Sequence, residues 1–240
     1  MNLMRRTKAT WTWTLPPLRP LPYAYFGSGN VLKPYQEDLP SRCGFSGWNM
    51  RDIWLIRHCE PVKGVVGVCL GRRGDPPLSE AGLACARELG TRFAASKLDN
   101  VYCSPLLRSR QTAEHIGSCQ MIPDLIEQDY GTWDGMAWPD IKERFPELYA
   151  ARSLDNSLVP PDAETCAQAA ARYERALLTT QGRCAAVAHK GAMGALLCRL
   201  LGKNPAELWT LDIPYGCCIL LHEHGGRLEV DQAPAAFPAC

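Results

Sequence analysis

The sequence predicts an α/β fold, a three-layer α/β/α sandwich with a mostly parallel central sheet. Three observations carry this prediction. From residue 52 onward, short apolar runs of strand length alternate with segments of helical spacing. The runs at 53–56 and 184–188 are apolar throughout, as strands covered on both faces require. Glycine and proline punctuate the chain between these segments, most densely from Gly64 to Pro77.

Each element follows in order. Ile53-Trp54-Leu55-Ile56 reads as the first buried strand, and the loop after it passes Gly64, Gly67, Gly71 and Gly74 to Pro76-Pro77. Ser79 supplies an N-cap, and Leu83, Ala86, Leu89, Gly90 and Phe93 keep helical spacing to about Ala95. Val101-Tyr102-Cys103 is the second strand. Ser104 as N-cap and Pro105 at the first helical position are expected to open the next helix, which carries Leu106, Ala113 and Ile116. Residues 124–161 give a loop with Gly131 and Gly135, then one or two short helices around Ile141 to Ala151. Glu164 to Thr180 reads as a helix, Cys184 to Ala188 as a strand, and Ala192 to Leu201 as a buried helix ending at Gly202. Cys217 to Leu221 and Arg227 to Val230, joined by His224-Gly225-Gly226, form a terminal hairpin.

Length and composition bound the rest. The 240 residues suit one such domain with an appendage. Residues 1–49 are rich in proline, tryptophan and glycine and lack periodicity; they read as a disordered extension or a non-native start, with residues 50–240 as the domain and Met50 as a candidate initiator. A net charge of +1 gives no global field that recommends nucleic acid or a membrane surface as partner. The apolar stretch Trp11 to Leu15 runs at once into prolines, unlike a secretory leader, and no run approaches the ~20 residues of a bilayer span. The expectation is a soluble, cytoplasmic protein. The 12 cysteines include no CxxC pair, so they read as reduced, small core residues rather than a zinc site or a disulfide scaffold, with Cys217 and Cys218 on opposite sides of one strand. Nothing in the sequence speaks to oligomeric state.

The chemistry gathers where strands end. The first strand runs into Arg57-His58, the second reaches Ser104 and then Arg108, and the strand 184–188 ends at His189. In a parallel sheet these carboxyl ends share one rim, the usual ligand edge of such folds. Two histidines and two arginines therefore converge there, beside two helix N-termini, which favour anions. A phosphoryl group suits this set. Guanidinium forks match its oxygens, a neutral imidazole can attack phosphorus, and a second imidazole can stabilise the transferring oxygens. Glu127, in a loop able to cover the rim, is the candidate proton donor. No carboxylate cluster offers a magnesium cage, so neither metal nor cofactor is expected, and the arginines take the metal's place.

The same residues carry a family resemblance. Leu55-Ile56-Arg57-His58-Cys59-Glu60-Pro61 followed by Gly71-Arg72-Arg73-Gly74-Asp75-Pro76-Pro77-Leu78-Ser79-Glu80-Ala81-Gly82 resembles the opening of the histidine phosphatase superfamily, with its phosphoglycerate-mutase-like fold. Ser104 to Ala113 resembles the second signature, Glu127 with Tyr130 to Gly135 the acid-bearing loop, and Val187-Ala188-His189-Lys190-Gly191 the last motif. The resemblance spans residues 52 to about 222 and is nearest to the branch that includes α-ribazole phosphatases. It implies His58 as nucleophile, Glu127 as proton donor, and Arg57, Arg108 and His189 as the phosphate pocket, acting on a small phosphorylated metabolite. Two rivals remain: a phosphoglycerate mutase, and a phosphate-binding module without turnover. The mutase reading is weakened because Pro61 and Gly64 stand where mutases place phosphate-holding residues. Cys59 stands where the family has glycine, a source of strain if that backbone needs an unusual φ. Lys190 adds a cation near the pocket. His222 and His224 share a strand face but lack a third ligand, so they are expected at an exposed hairpin end, and Trp133 and Trp138 are expected to pack a lid.

Overall fold

The computed structural model describes residues 50–62, 67–155 and 158–231; the expected extension at 1–49 and Gly64 lie outside these. The elements run β1 (Arg51–Arg57), α1 (Glu80–Phe93), β2 (Asn100–Cys103), α2 (Leu107–Ile116), β3 (Cys119–Met121), α3 (Trp138–Arg144), α4 (Pro146–Leu154), α5 (Cys166–Leu178), β4 (Cys184–Ala188), α6 (Lys190–Leu200), β5 (Cys218–His224) and β6 (Arg227–Val230). The six-stranded sheet has the order β3-β2-β4-β1-β5-β6. β3, β2, β4 and β1 are mutually parallel, while β5 runs antiparallel to β1 and β6 antiparallel to β5. The mostly parallel α/β sandwich is thus as expected.

Strand alternation builds the layers. Ile53 and Leu55 of β1, with Ala186 and Ala188 of β4, pack into the core shared with α5 and α6. Trp54 and Ile56, with Ala185 and Val187, turn to the opposite face, under α1 and α2. Every residue of β4 is buried, because it lies between β2 and β1 and is covered on both faces. A smaller apolar group of Cys69, Tyr130, Trp133 and Ile141, with Trp138 packed against it, holds α3 and α4 to the glycine-rich loop. Trp133 and Trp138 do pack that region, edge to face at 6.5 Å.

Local chemistry sets the boundaries. Ser79 is extended and its Oγ accepts the N–H of Gly82 at 3.0 Å, starting α1 where expected. A Cβ at Gly82 would stand 2.1 Å from the Glu60 carbonyl oxygen, so only glycine lets the first turn of α1 lie against the chain leaving β1. Thr165 and Gln168 form a capping box that starts α5 two residues later than the periodicity suggested. α2 also starts late: its N-cap is Leu106, not Ser104. β3 was not anticipated, since three residues with two exposed carry too little pattern to read. Gly225 and Gly226 both have positive φ, as the two-residue turn joining β5 to β6 requires. Among the described residues no helix is long and apolar enough to cross a membrane.

Candidate active site

His58 follows directly on β1, and its backbone N–H donates to the Ala188 carbonyl at 3.0 Å, locking the carboxyl ends of β1 and β4 together. Its Nδ1 lies 2.7 Å from the Cys59 carbonyl oxygen. A carbonyl only accepts, so Nδ1 carries the proton and Nε2 keeps its lone pair. Burial, then the charge of Arg108 and more weakly that of Arg57, hold the ring well below the ordinary histidine pKa. It is therefore a neutral imidazole at physiological pH.

His189 sits at the end of β4 as the N-cap of α6, its ring centroid 5.1 Å from that of His58. Burial and the charge of Arg108 lower its pKa well below the ordinary value too. Its Nε2 is 2.7 Å from Ser104 Oγ. Ser104, expected to cap α2, instead accepts the Leu106 N–H at 3.3 Å and faces this second histidine.

Arg108, in the first turn of α2, is 1% exposed, and its guanidinium donates to the carbonyls of Gly74 at 3.0 Å and Gly71 at 3.1 Å. Those carbonyls are aimed by Asp134, whose carboxylate accepts the N–H groups of Gly71, Arg72 and Arg73 at 2.9, 2.7 and 3.0 Å. Arg57 stacks on the ring of Tyr215 at 3.8 Å and donates to the Ile213 carbonyl at 2.6 Å. Burial lowers both arginine pKa values, yet a guanidinium stays charged in proteins. Arg57 Nε, Arg108 Nε and His189 Nδ1 are buried and make no hydrogen bond within the protein.

Glu127 is buried and accepts backbone N–H groups from Gln128 at 2.7 Å, Ala192 at 2.9 Å and Gly191 at 3.2 Å. Its carboxylate thus occupies the N-terminus of α6 that sequence reasoning had offered to a bound phosphate. Asp75 Oδ1 likewise accepts the Leu107 N–H at 2.5 Å, at the start of α2. Both helix ends are already met by the protein's own carboxylates, so the free positive charge of the rim comes from side chains. Arg72 and Arg172 clamp the Glu127 carbonyl at 2.8 and 3.4 Å, and both pair with Glu164.

The structure thus brings Arg57, His58, Arg108, Glu127 and His189 to one edge of the sheet. Cys59 is not strained: the non-glycine residues with positive φ among those described are Lys97 and Asp162. His222 departs from expectation and His224 does not. His222 is half-buried against Asp52 at 3.0 Å, while His224 ends β5 beside the turn, its side chain 38% exposed and 3.0 Å from Glu229. Sequence reasoning missed three contributors. Ser104 was given another task, Asp134 was seen only as part of a motif, and Tyr215 carried no signal, because its value lies in a cation stack assembled by the fold.

Residues 53–233 match the family model described as the histidine phosphatase superfamily, branch 1. The chain belongs to this superfamily. Among its relatives, the adenosylcobalamin/alpha-ribazole phosphatase of Salmonella typhimurium is 31% identical over 176 residues, covering 69% of this chain and 87% of that protein. Phosphoserine phosphatase 1 of Hydrogenobacter thermophilus is 30% identical over 179 residues, covering 70% and 82%. The crystal structure of the alpha-ribazole phosphatase from Shigella flexneri superposes with a TM-score of 0.64 at 26% identity, covering 75% of this chain and 94% of that one. This histidine phosphatase is accordingly a phosphoric monoester hydrolase with the phosphoglycerate-mutase-like fold.

Proposed function

We propose that this histidine phosphatase hydrolyses a small phosphorylated metabolite in two steps, through a phosphohistidine on His58 and without a metal ion. His58 Nε2 forms a bond to phosphorus as the ester P–O bond breaks, and the Glu127 carboxylate, having taken up a proton as the substrate monoanion binds, gives it to the leaving oxygen. Water then attacks the phosphohistidine, loses a proton to Glu127, and frees both imidazole and inorganic phosphate. Arg57, Arg108 and His189 hold the phosphoryl oxygens throughout. The observation that carries this reading is the neutral His58 ring, pinned through Nδ1 beside three buried donors, Arg57 Nε, Arg108 Nε and His189 Nδ1, that make no internal bond. Ser104 supports the last of these. Its hydroxyl accepts from Leu106, so its own proton is available to His189 Nε2, which leaves Nδ1 of that ring as a donor.

Phosphatase names among the relatives favour hydrolysis over mutase transfer, and an α-ribazole 5'-phosphate-like substrate is the leading candidate. On the same reading the catalytic domain spans 50–240, residues 1–49 precede it as an extension, and the enzyme works in the cytoplasm.

The test is labelling with a phosphorus-labelled monoester in the presence of a chelator, quenched in alkaline detergent. Label that survives alkali and is lost in acid should appear on the tryptic peptide 58–63, and His58→Asn should abolish both label and turnover. Turnover without labelled histidine, or turnover that needs a divalent ion, would refute the mechanism.

A further inference from the structure

Cys59 occupies the position directly after the proposed nucleophile, and its Sγ lies 3.2 Å from Sγ of Cys85 on α1. The contact follows from the backbone. Ser79 N–H donates to the Glu60 carbonyl at 2.9 Å, and Gly82 removes the side chain that would keep α1 away from that carbonyl. Cys85 lies one turn beyond Gly82, on the same helix face, and so comes down onto Cys59. Cys59 is fully buried, whereas Cys85 is partly exposed, which gives a reagent a way in through the helix residue.

We propose that Cys59 and Cys85 form a site of reversible oxidation whose disulfide switches the phosphatase off. Each thiol gives up its proton, and together they give up two electrons as the S–S bond forms. The co-reactant is a two-electron oxidant of the diazene or peroxide class; in the diazene case the N=N bond takes both electrons and both protons to become a hydrazine. A bond of ~2.05 Å requires the sulfurs to close by about 1.1 Å from their present separation. Cys59 cannot absorb that movement without consequence. Its carbonyl holds Nδ1 of His58 at 2.7 Å, and its N–H donates at 3.0 Å to Thr112 Oγ1, which in turn donates at 2.8 Å to the Arg108 carbonyl. Displacing this residue releases the bond that fixes the tautomer of His58 and disturbs the helix that carries Arg108. The effect on turnover rests on the role proposed for His58; the bond itself does not.

A second pair, Cys103 and Cys119, has its sulfurs 3.4 Å apart and serves as an internal contrast. Burial and the bond to Cys119 push the Cys103 thiol up to about 12.

The full chain is treated with diamide, blocked with N-ethylmaleimide, digested with trypsin and weighed, with p-nitrophenyl phosphate hydrolysis followed in parallel. Peptide 58–63 joined to peptide 74–87 should appear as activity falls at least about tenfold, and dithiothreitol should reverse both. Cys85→Ser and Cys85→Ala, tested separately in case one packs poorly, should keep basal activity within about twofold and lose the inhibition, while Cys119→Ser should behave as the parent. The proposal is overturned if the linked peptide does not form, if it forms with activity unchanged, or if the Cys85 variants remain as sensitive as the parent. Mass detects the linkage whether or not the reduced protein turns over, so failure of the phosphatase mechanism and failure of the switch are separable.

Discussion

His58 and His189 end neighbouring parallel strands, are both buried, and are both kept neutral by burial and by Arg108. Their surroundings differ in one respect. His58 is held by Nδ1 against a backbone carbonyl, and His189 by Nε2 against a serine hydroxyl. On the mechanism proposed above, the first arrangement leaves a lone pair on Nε2 for phosphorus, and the second leaves an N–H on Nδ1 for a phosphoryl oxygen. That mechanism thus gives two identical side chains in one pocket opposite tasks, set by whatever binds the far nitrogen. Identity and burial alone would not separate them.

Arg108 is the element the two rings share, and removing it should break the comparison most severely. Arg108→Ala is expected to lose at least about a hundredfold in kcat/KM, on the scale of ~3 kcal/mol for a transition-state oxyanion donor. The sign of the pH effect follows from the same charge. Arg108 lowers both histidine pKa values, so without it both rise, and the acid limb of the rate profile moves to higher pH. Arg108→Lys should restore the acid limb through its charge but not the rate, because an ammonium cannot reproduce the guanidinium fork held by Gly71 and Gly74. A rate within about threefold of the parent in Arg108→Ala would contradict the pocket assignment.

Ser104→Ala sharpens the comparison by acting on one histidine only. It removes the group that sets the tautomer of His189 and leaves the Cys59 carbonyl on His58 intact. The expected loss is about tenfold in kcat with KM little changed, the worth of one hydrogen bond of ~1.4 kcal/mol expressed in the transition state. Equal loss of kcat and of protein stability would point to a packing defect, and no loss would mean that His189 chooses its tautomer without Ser104.

What could be read in advance divides along physical lines. β1, β4 and α6 were legible because apolar runs and helical periodicity are local properties of the chain, and Arg57, His58, Arg108 and His189 follow once strand ends are known to share a rim. β3 was not, because two of its three residues are exposed and its pairing with β2 decides its conformation. The occupation of the α6 N-terminus by Glu127 was hidden for another reason. It joins residues 64 and 65 positions apart, Glu127 with Gly191 and Ala192, and no local pattern distinguishes a phosphate site from one that a distant carboxylate fills. Ser104 shows the limit most clearly: Ser-Pro before a helix is a good capping signal, yet the helix began later and the hydroxyl was left for the histidine.

The smallest effect expected is on the Arg57 side of the pocket, where the comparison turns from the histidines to their neighbours. Arg108 is fixed by two loop carbonyls, but Arg57 by one carbonyl and the face of Tyr215 at 3.8 Å. A cation over the face of a half-buried ring contributes about 0.5–1 kcal/mol, so Tyr215→Leu should lower kcat/KM about twofold to fivefold. Tyr215→Phe keeps the ring face and should stay close to the parent if stacking is what positions the guanidinium. If Phe and Leu fall equally, the phenol hydroxyl matters and the stack does not. If neither falls, the Ile213 carbonyl is sufficient to hold Arg57, and the ring 5.6 Å from His58 serves only to cover that histidine.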